Sequence, residues 1–133
     1  MLRRSALVSA MAALMVAGLG TSTSAQADLT FGEAMNLGPI INSESGEGSP
    51  TISADGLELY FGSDRADGSG GSDLWVSTRP STDAEWSAPV NLGPVVNSEK
   101  SESTPSISAD GLELFFSDWG DPRPGGHGSV DLW

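Results

Sequence analysis

The chain has 133 residues, no cysteine and one histidine, and its 6 basic and 18 acidic residues give a net charge of −12. Such an acidic chain lacks the basic footprint that nucleic acids require, and it disfavours binding to an anionic membrane surface. Disulfides, thiolate metal sites and cysteine nucleophiles are excluded, and one histidine does not suffice for a histidine-rich metal site. The length fits one small domain.

Residues 1–27 have the pattern of an export signal. The basic pair Arg3-Arg4 is followed by an uncharged apolar stretch, residues 6–19, which is shorter than the ~20 residues that a membrane helix needs. Ala25-Gln26-Ala27 then matches the small-residue pattern at which signal peptides are cleaved. We therefore predict a mature chain that begins near Asp28, has no membrane span, and is periplasmic or extracellular.

A repeat with an offset of 55 residues organises the remainder of the chain. Residues 36–61 match residues 91–116 at 18 of 26 positions. Asp73-Leu74-Trp75 recurs as Asp131-Leu132-Trp133 at an offset of 58, so the loop before this motif is three residues longer in the second copy. Repeats at such a period are typical of architectures in which each unit packs on its neighbours.

Each repeat has the pattern of short strands, and no part of the predicted mature chain has helical periodicity. Asp55-Gly56 predicts a tight hairpin turn, because glycine accepts the positive φ of a primed turn. Pro89 lacks an N–H, so the strand that contains it should lie at a sheet edge. The four predicted strands of the first copy are Pro50–Ser53, Leu57–Phe61, Asp73–Thr78 and Trp86–Leu92.

The segment before the first copy aligns with the fourth predicted strand. Phe31 takes the place of Trp86, and Met35 takes the place of Val90. We expect residues 28–49 to form a lone fourth strand and a linker. Our hypothesis is that this strand completes the last unit of a closed ring.

Two motifs resemble a known family, the WD40-like β-propeller repeat of TolB-type periplasmic proteins. The first is Pro-x-Ile-Ser-Ala-Asp-Gly-Leu-x-Leu-aromatic-Phe, which precedes a glycine-rich loop and Asp-Leu-Trp. The second, Trp86-x-x-Pro89-x-x-Leu92-Gly93-x-x-x-Asn97, resembles the blade-ending element of the variety of this repeat that is found beside OmpA-like domains and in secreted bacterial proteins. Asn-Leu-Gly stands where TolB itself would have a Leu-Thr element, so TolB's own partners are not carried over.

The resemblance implies an all-β fold whose propeller blades each have four antiparallel strands. Residues 50–97 would form one blade, and residues 98–133 a linker and an incomplete second blade. Closed propellers have ~4–8 blades, so we expect the sequence to be part of a longer protein. The alternative is that short chains assemble into a ring.

Two serine–aspartate–glycine motifs are candidates for either catalysis or a turn. Because they occur in both copies, we interpret them as structural turns in which the aspartate binds backbone N–H groups. The sialidase Asp-box is a poor match, because glycine follows the aspartate directly and no Thr-Trp follows. The motifs are Ser53, Asp55 and Gly56 in the first copy, and Ser108, Asp110 and Gly111 in the second.

The loops carry clustered aspartates that could bind calcium, since this ion prefers carboxylate and carbonyl oxygens. Their spacing matches no EF-hand, so we interpret them as solvated turn residues, with calcium as the alternative. Asp73 and Asp131 are expected to serve structure, because each begins a third strand. The clusters are Asp64, Asp67 and Asp73, and Asp118, Asp121 and Asp131.

His127 lies in a glycine-rich loop, and no G-x-S-x-G elbow is present, so we predict no Ser-His-Asp triad. Trp75, Trp86 and Trp133 occupy repeat positions that favour packing. Trp119 has no counterpart in the first copy, and we select it as the possible ligand contact.

These observations favour an exported β-propeller module that binds protein or cell-envelope glycan, with no catalysis and no cofactor of its own. The alternative is the non-catalytic propeller part of a larger secreted hydrolase, a peptidase or a glycosidase, whose active site lies beyond residue 133. A calcium-stabilised structural repeat is the third hypothesis.

Overall fold

The computed structural model describes residues 4–5, 30–120 and 123–133. The predicted export signal lies outside these residues except at Arg4 and Ser5, and so does the calcium candidate Asp121. The described residues form strands and turns without a helix, which confirms the all-β class. Over these ranges there is accordingly no apolar helix of membrane-spanning length.

The chain divides into two compact units, Met1–Asn36 and Leu37–Trp133. Within the first unit, strand β1 (Arg4–Ser5) pairs antiparallel with β2 (Thr30–Phe31). Of the lone strand expected at the start of residues 28–49, the described residues contain only β2, which pairs with β1.

The second unit begins with a four-stranded sheet of order β3-β4-β5-β6, in which all neighbours are antiparallel. Leu59 and Phe61 alternate along β4 and are both buried, as the period-two pattern predicts. Its strands are β3 (Glu47–Ile52), β4 (Glu58–Ser63), β5 (Asp73–Thr78) and β6 (Val90–Asn91).

The second copy of the repeat forms a three-stranded antiparallel sheet of order β7-β8-β9. Its strands are β7 (Ser101–Ile107), β8 (Leu114–Trp119) and β9 (Val130–Leu132). Each sheet thus takes its strands from consecutive segments of one repeat.

The fourth strand is shorter than predicted, because only Val90 and Asn91 pair with β5 instead of the whole span Trp86–Leu92. Pro89 has no N–H to offer to the ladder. Trp86 is buried instead beneath Arg79, whose guanidinium carbon lies 4.3 Å from the indole centroid. β6 does lie at the sheet edge, as Pro89 led us to expect.

The hairpin turn is also of a different type from the one predicted. Gly56 donates its N–H to the Ser53 carbonyl at 2.9 Å and has a φ of 74°, whereas Asp55 does not have a positive φ. A primed turn needs positive φ at its central residues, so this is an ordinary four-residue turn followed by a left-handed glycine. Gly111, with a φ of 73°, repeats this arrangement.

The first strand of each sheet contains a β-bulge at the same place in the repeat. The pairing of β3 with β4 shifts between Gly48 and Thr51, where Ser49 has a φ of 50°. Thr104, with a φ of 52°, occupies the corresponding place in β7. Both are non-glycine residues in the left-handed region, and a proline follows each of them.

The three-stranded sheet packs on the four-stranded sheet through the start of β7. Gly71 donates to the Lys100 carbonyl at 2.7 Å, and Glu102 donates to the Ser72 carbonyl at 2.7 Å. A Cβ at Gly70 would overlap the Lys100 carbonyl oxygen, so this approach requires glycine. The main apolar cluster lies on the four-stranded side and comprises Ile41, Leu59, Phe61, Trp75 and Trp86, with Leu37 packed against it.

Candidate functional site

The serine–aspartate–glycine motifs lie in the turns between the first and second strands. The Ser53 hydroxyl donates to the Asp55 carboxylate at 2.6 Å and accepts the Glu58 N–H at 2.9 Å, while Asp55 accepts the Leu57 N–H at 3.0 Å. Ser108 and Asp110 make the same contacts in the second copy. The carboxylates are therefore engaged by their own turns.

These contacts also explain the acidity of both carboxyl groups. The hydrogen bond from Ser53 and then that from the Leu57 N–H hold the pKa of Asp55 below its ordinary value. Ser108 and then Leu112 do the same for the pKa of Asp110. A general acid needs a raised pKa, so these aspartates have the opposite character.

An Arg–Glu pair that sequence inspection did not reveal recurs in both sheets. Arg65 lies 3.0 Å from Glu47, and its guanidinium also donates to the Ile41 carbonyl at 2.6 Å. Arg123 pairs with Glu102 and donates to the Val96 carbonyl at 2.7 Å. The glutamates are 55 residues apart and the arginines 58, because the longer loop of the second copy lies between them.

Each of these arginines lies between two aromatic rings. The Arg65 guanidinium carbon is 5.0 Å from the Phe61 centroid and 5.4 Å from the Trp75 centroid. Arg123 lies 5.2 Å from Phe116 and 5.5 Å from Trp133. Cation–π contact and carboxylate pairing together fix the guanidinium in place. The two arginines therefore join the strands of their sheets and are not presented to a ligand.

The two glutamates differ in their surroundings. Burial alone would raise the pKa of Glu47, but hydrogen bonds from Ser43, Ser63 and Arg65 outweigh it and lower this pKa. Glu102 has 0% of its surface exposed, and its Oε2 has no hydrogen-bond partner among the described residues. Charge compensation at Glu102 depends on Arg123, which also binds Asp118 at 3.0 Å.

Among the described loop aspartates that were candidate calcium ligands, all but Asp67 accept backbone N–H groups. Asp73 accepts from Ser69 and Gly70, and Asp131 accepts from His127 and Gly128. Asp64 accepts the Gly46 N–H at 2.8 Å, and Asp118 accepts the Asp131 N–H. Asp67 is exposed in a turn and has a φ of 70°. Over residues 30–120 and 123–133, no three metal-ligating side chains come together.

Asn97 is a buried residue whose role sequence inspection missed. Its amide oxygen accepts the Leu74 N–H at 2.8 Å, and its amide nitrogen donates to the Leu74 carbonyl at 3.0 Å. It thereby holds both polar groups of one β5 residue and continues the sheet where β6 ends. The recurrence of Asn42 as Asn97 at the repeat offset was the available signal.

The tryptophans at repeat positions differ from Trp119. Trp75 and Trp86 are buried, and Trp133 is half-buried against Arg123. Trp119, at the end of β8, has 57% of its surface exposed. Its Nε1 donates to the Ser103 hydroxyl at 3.0 Å, which orients the ring. His127 is exposed in the adjoining loop and contacts Asp131 through its backbone N–H.

An apolar groove lies beside β3 and has a volume of about 100 Å³. Small-molecule pockets usually occupy ~300–1,000 Å³, so the groove is too small for such a ligand. It is lined by Leu37, Ile41, Asn42, Glu47, Gly48, Pro50, Leu59 and Phe61.

Comparison with protein-family models, with curated proteins and with solved structures gives no match for this chain.

Proposed function

We propose that this chain is an exported β-propeller repeat protein that binds a protein or cell-envelope glycan and performs no catalysis of its own. The observation that carries the proposal is that the acidic side chains form internal hydrogen bonds, whereas one aromatic side chain is exposed. The turn aspartates, the third-strand aspartates and both paired glutamates are engaged in internal hydrogen bonds. Trp119, by contrast, presents an oriented indole to solvent.

The propeller part of the proposal is supported by the sheet order. Each repeat folds as consecutive antiparallel strands, and the second sheet packs on the first by the start of β7. Radially repeated small sheets of this kind make up propellers. Loops at the strand ends are the usual binding surfaces of such scaffolds, and Trp119 lies at the end of β8.

The binding role can be tested by co-sedimentation with isolated peptidoglycan sacculi and by affinity measurements with soluble envelope proteins. Trp119→Ala should reduce binding to the recognised partner severalfold, because an exposed aromatic ring supplies contact area at low entropic cost. Val95→Ala is the matched control, since Val95 is 91% exposed and lies in the linker between the sheets. Undiminished binding by Trp119→Ala would remove that residue from the site. Failure to bind either class of partner would refute the binding role.

Export is tested separately, by determining the N-terminus of the protein recovered from the periplasm or medium. Cleavage after Ala27 should give a mature chain that starts at Asp28. Recovery of an uncleaved chain from the cytoplasm would refute export.

A further inference from the structure

Aspartate is followed by glycine at three places in the sequence, and this pair of residues is chemically reactive. The pairs are Asp55-Gly56, Asp67-Gly68 and Asp110-Gly111. The backbone nitrogen of the glycine can attack the aspartate Cγ, because glycine has no side chain to hinder the approach. The N–Cγ bond forms, a C–O bond of the protonated carboxyl breaks, and the hydroxyl leaves as water with the N–H proton.

The product of this attack is a five-membered succinimide ring, which water opens again. When the bond between the glycine nitrogen and the aspartate α-carbonyl breaks, the product is isoaspartate. Its backbone runs through Cγ and is longer by one methylene group. The water taken up balances the water lost, so the overall change is an isomerisation that needs no oxidant or reductant.

The fold protects two of the three pairs. The Asp55 carboxylate accepts hydrogen bonds from the Ser53 hydroxyl at 2.6 Å and from the Leu57 N–H at 3.0 Å. The Gly56 N–H, which would have to attack, donates instead to the Ser53 carbonyl. The second copy repeats this arrangement at Asp110. The same hydrogen bonds lower the pKa of both carboxyl groups, which keeps them in the ionised, unreactive form.

Asp67 lacks this protection. It lies in the turn at residues 66–67, between β4 and β5, and both Asp67 and Gly68 are exposed. Within the described ranges its carboxylate accepts no hydrogen bond. Its φ of 70° lies in the left-handed region, where L-residues other than glycine are less stable. An unrestrained carboxyl therefore coincides with a less stable backbone at this pair alone among the three.

The chain is held on both sides of this turn. Arg65 donates its N–H to the Ser63 hydroxyl at 3.2 Å, and Asp73 accepts the N–H groups of Ser69 and Gly70. Only three residues separate Arg65 from Ser69. So short a span offers little slack for an added methylene group. Isoaspartate in the turn should therefore displace Ser69 and Gly70.

The residues that follow the turn join the two sheets. Gly71 donates its N–H to the Lys100 carbonyl at 2.7 Å, and the Ser72 carbonyl accepts the Glu102 N–H at 2.7 Å. The backbone of Gly70 lies so close to β7 that a Cβ there would overlap the Lys100 carbonyl oxygen. A displacement at Gly70 should therefore weaken the hydrogen bonds between the sheets.

We propose that Asp67-Gly68 is a site of spontaneous isomerisation, selected by the fold from three similar pairs, and that isoaspartate there loosens the packing of the three-stranded sheet on the four-stranded sheet. The change is slow, needs only water and marks the age of the molecule. This inference does not rest on the proposed function, because the turn contains no proposed ligand contact.

The test compares the three pairs in the complete chain, folded in mildly acidic buffer and unfolded in the same buffer with urea. Mass spectrometry with electron-transfer fragmentation quantifies isoaspartate in proteolytic peptides. In the folded chain it should form at Asp67 at least about tenfold faster than at Asp55 or Asp110, since each of those carboxylates must first give up two hydrogen bonds. In urea the three rates should converge, because alanine precedes each pair.

Three outcomes would overturn the selection of this site by the fold. They are equal rates at the three pairs in the folded chain, no isoaspartate at Asp67, and an unchanged preference for Asp67 in urea. The last outcome would assign the preference to the sequence.

Hydrogen exchange measures the effect on packing. After isomerisation the N–H groups of Gly71 and Glu102, which join the sheets, should exchange severalfold faster, whereas that of Gly56 should not change. Asp67→Glu, incubated in the same way, is the matched control, because it keeps the charge but cannot close a five-membered ring. Unchanged exchange in the isomerised chain, or an equal increase in Asp67→Glu, would overturn the proposed loosening.

Discussion

The two sheets share most of their sequence, yet a leucine at the same repeat position is buried in the first sheet and exposed in the second. Leu74 is packed beneath Asn97 and the start of β7, whereas Leu132, at the same position of the motif, faces solvent. The glutamates of the Arg–Glu pairs differ in the opposite direction. Glu102, in the second sheet, is fully buried, whereas Glu47, in the first sheet, is partly exposed. Burial in this molecule is therefore set by the neighbouring repeat as well as by the sequence of each repeat.

The buried Arg–Glu pair should give the largest difference between the sheets. Arg123→Ala leaves Glu102 and Asp118 buried without their cation, and we expect a loss of ~3–5 kcal/mol in the free energy of unfolding. Arg65→Ala should cost only ~1–3 kcal/mol, because the side chain of Glu47 is partly exposed to solvent whereas that of Glu102 is not. Urea titration followed by circular dichroism measures both. Equal losses would show that the pairs are equivalent despite their different burial.

The covered and open leucines give the next comparison. Leu74→Ala removes a fully buried side chain and should lower the free energy of unfolding by ~2–5 kcal/mol. Leu132→Ala should change it by less than about 0.5 kcal/mol, because an exposed side chain has little packing to lose. Both losses are measured by urea titration in dilute solution. A comparable loss in Leu132→Ala would mean that its surroundings resemble those of Leu74.

Substitution of the turn serines should lower stability equally in the two copies of the repeat. Ser53 and Ser108 make equivalent hydrogen bonds to their aspartates and to the N–H groups of Glu58 and Glu113. Ser53→Ala and Ser108→Ala should each cost about 1 kcal/mol, by the usual net contribution of such bonds. Thermal unfolding of the two variants should give matching shifts. A shift in only one variant would show that one turn matters far more to stability.

Acidification should give the smallest change in stability for each residue involved. We expect it to act on the turn aspartates of both copies. The folded-state pKa values of Asp55 and Asp110 are lowered, so their ionised forms stabilise the fold above the unfolded pKa of about 3.9. That contribution falls as the pH drops through the lower, folded-state pKa values. Urea midpoints measured against pH should therefore depend less steeply on pH in Asp55→Asn/Asp110→Asn than in the parent chain. Parallel curves would contradict this linkage.

The sequence was most informative where local chemistry decides structure. The predicted third strand, Asp73–Thr78, coincides with β5, because its pattern and its flanking glycine-rich loop both define the element. The fourth strand was predicted too long, since alternation from Trp86 to Leu92 suggested a ladder that Pro89 and the packing of Trp86 on Arg79 prevent. The predicted turn type was wrong because a glycine with positive φ is compatible with several types of turn.

Features that join distant segments were harder to predict. Glu47 and Arg65 meet across 18 positions, and Glu102 and Arg123 across 21. Neither separation corresponds to a local motif, and the unequal loops hide the recurrence of the arginine. Trp119 could be selected because it lacks a counterpart, but its exposure depends on how β8 and β9 pack.

The bulges in β3 and β7 protect the edges of the two sheets against amyloid formation. Both strands lie at the ends of their sheets, where a regular backbone would offer a template to another strand. Ser49 and Thr104 interrupt that template with a left-handed residue, and the proline that follows offers no N–H. Pairing of these edge strands with strands of another molecule into a continuous cross-β fibre is therefore disfavoured.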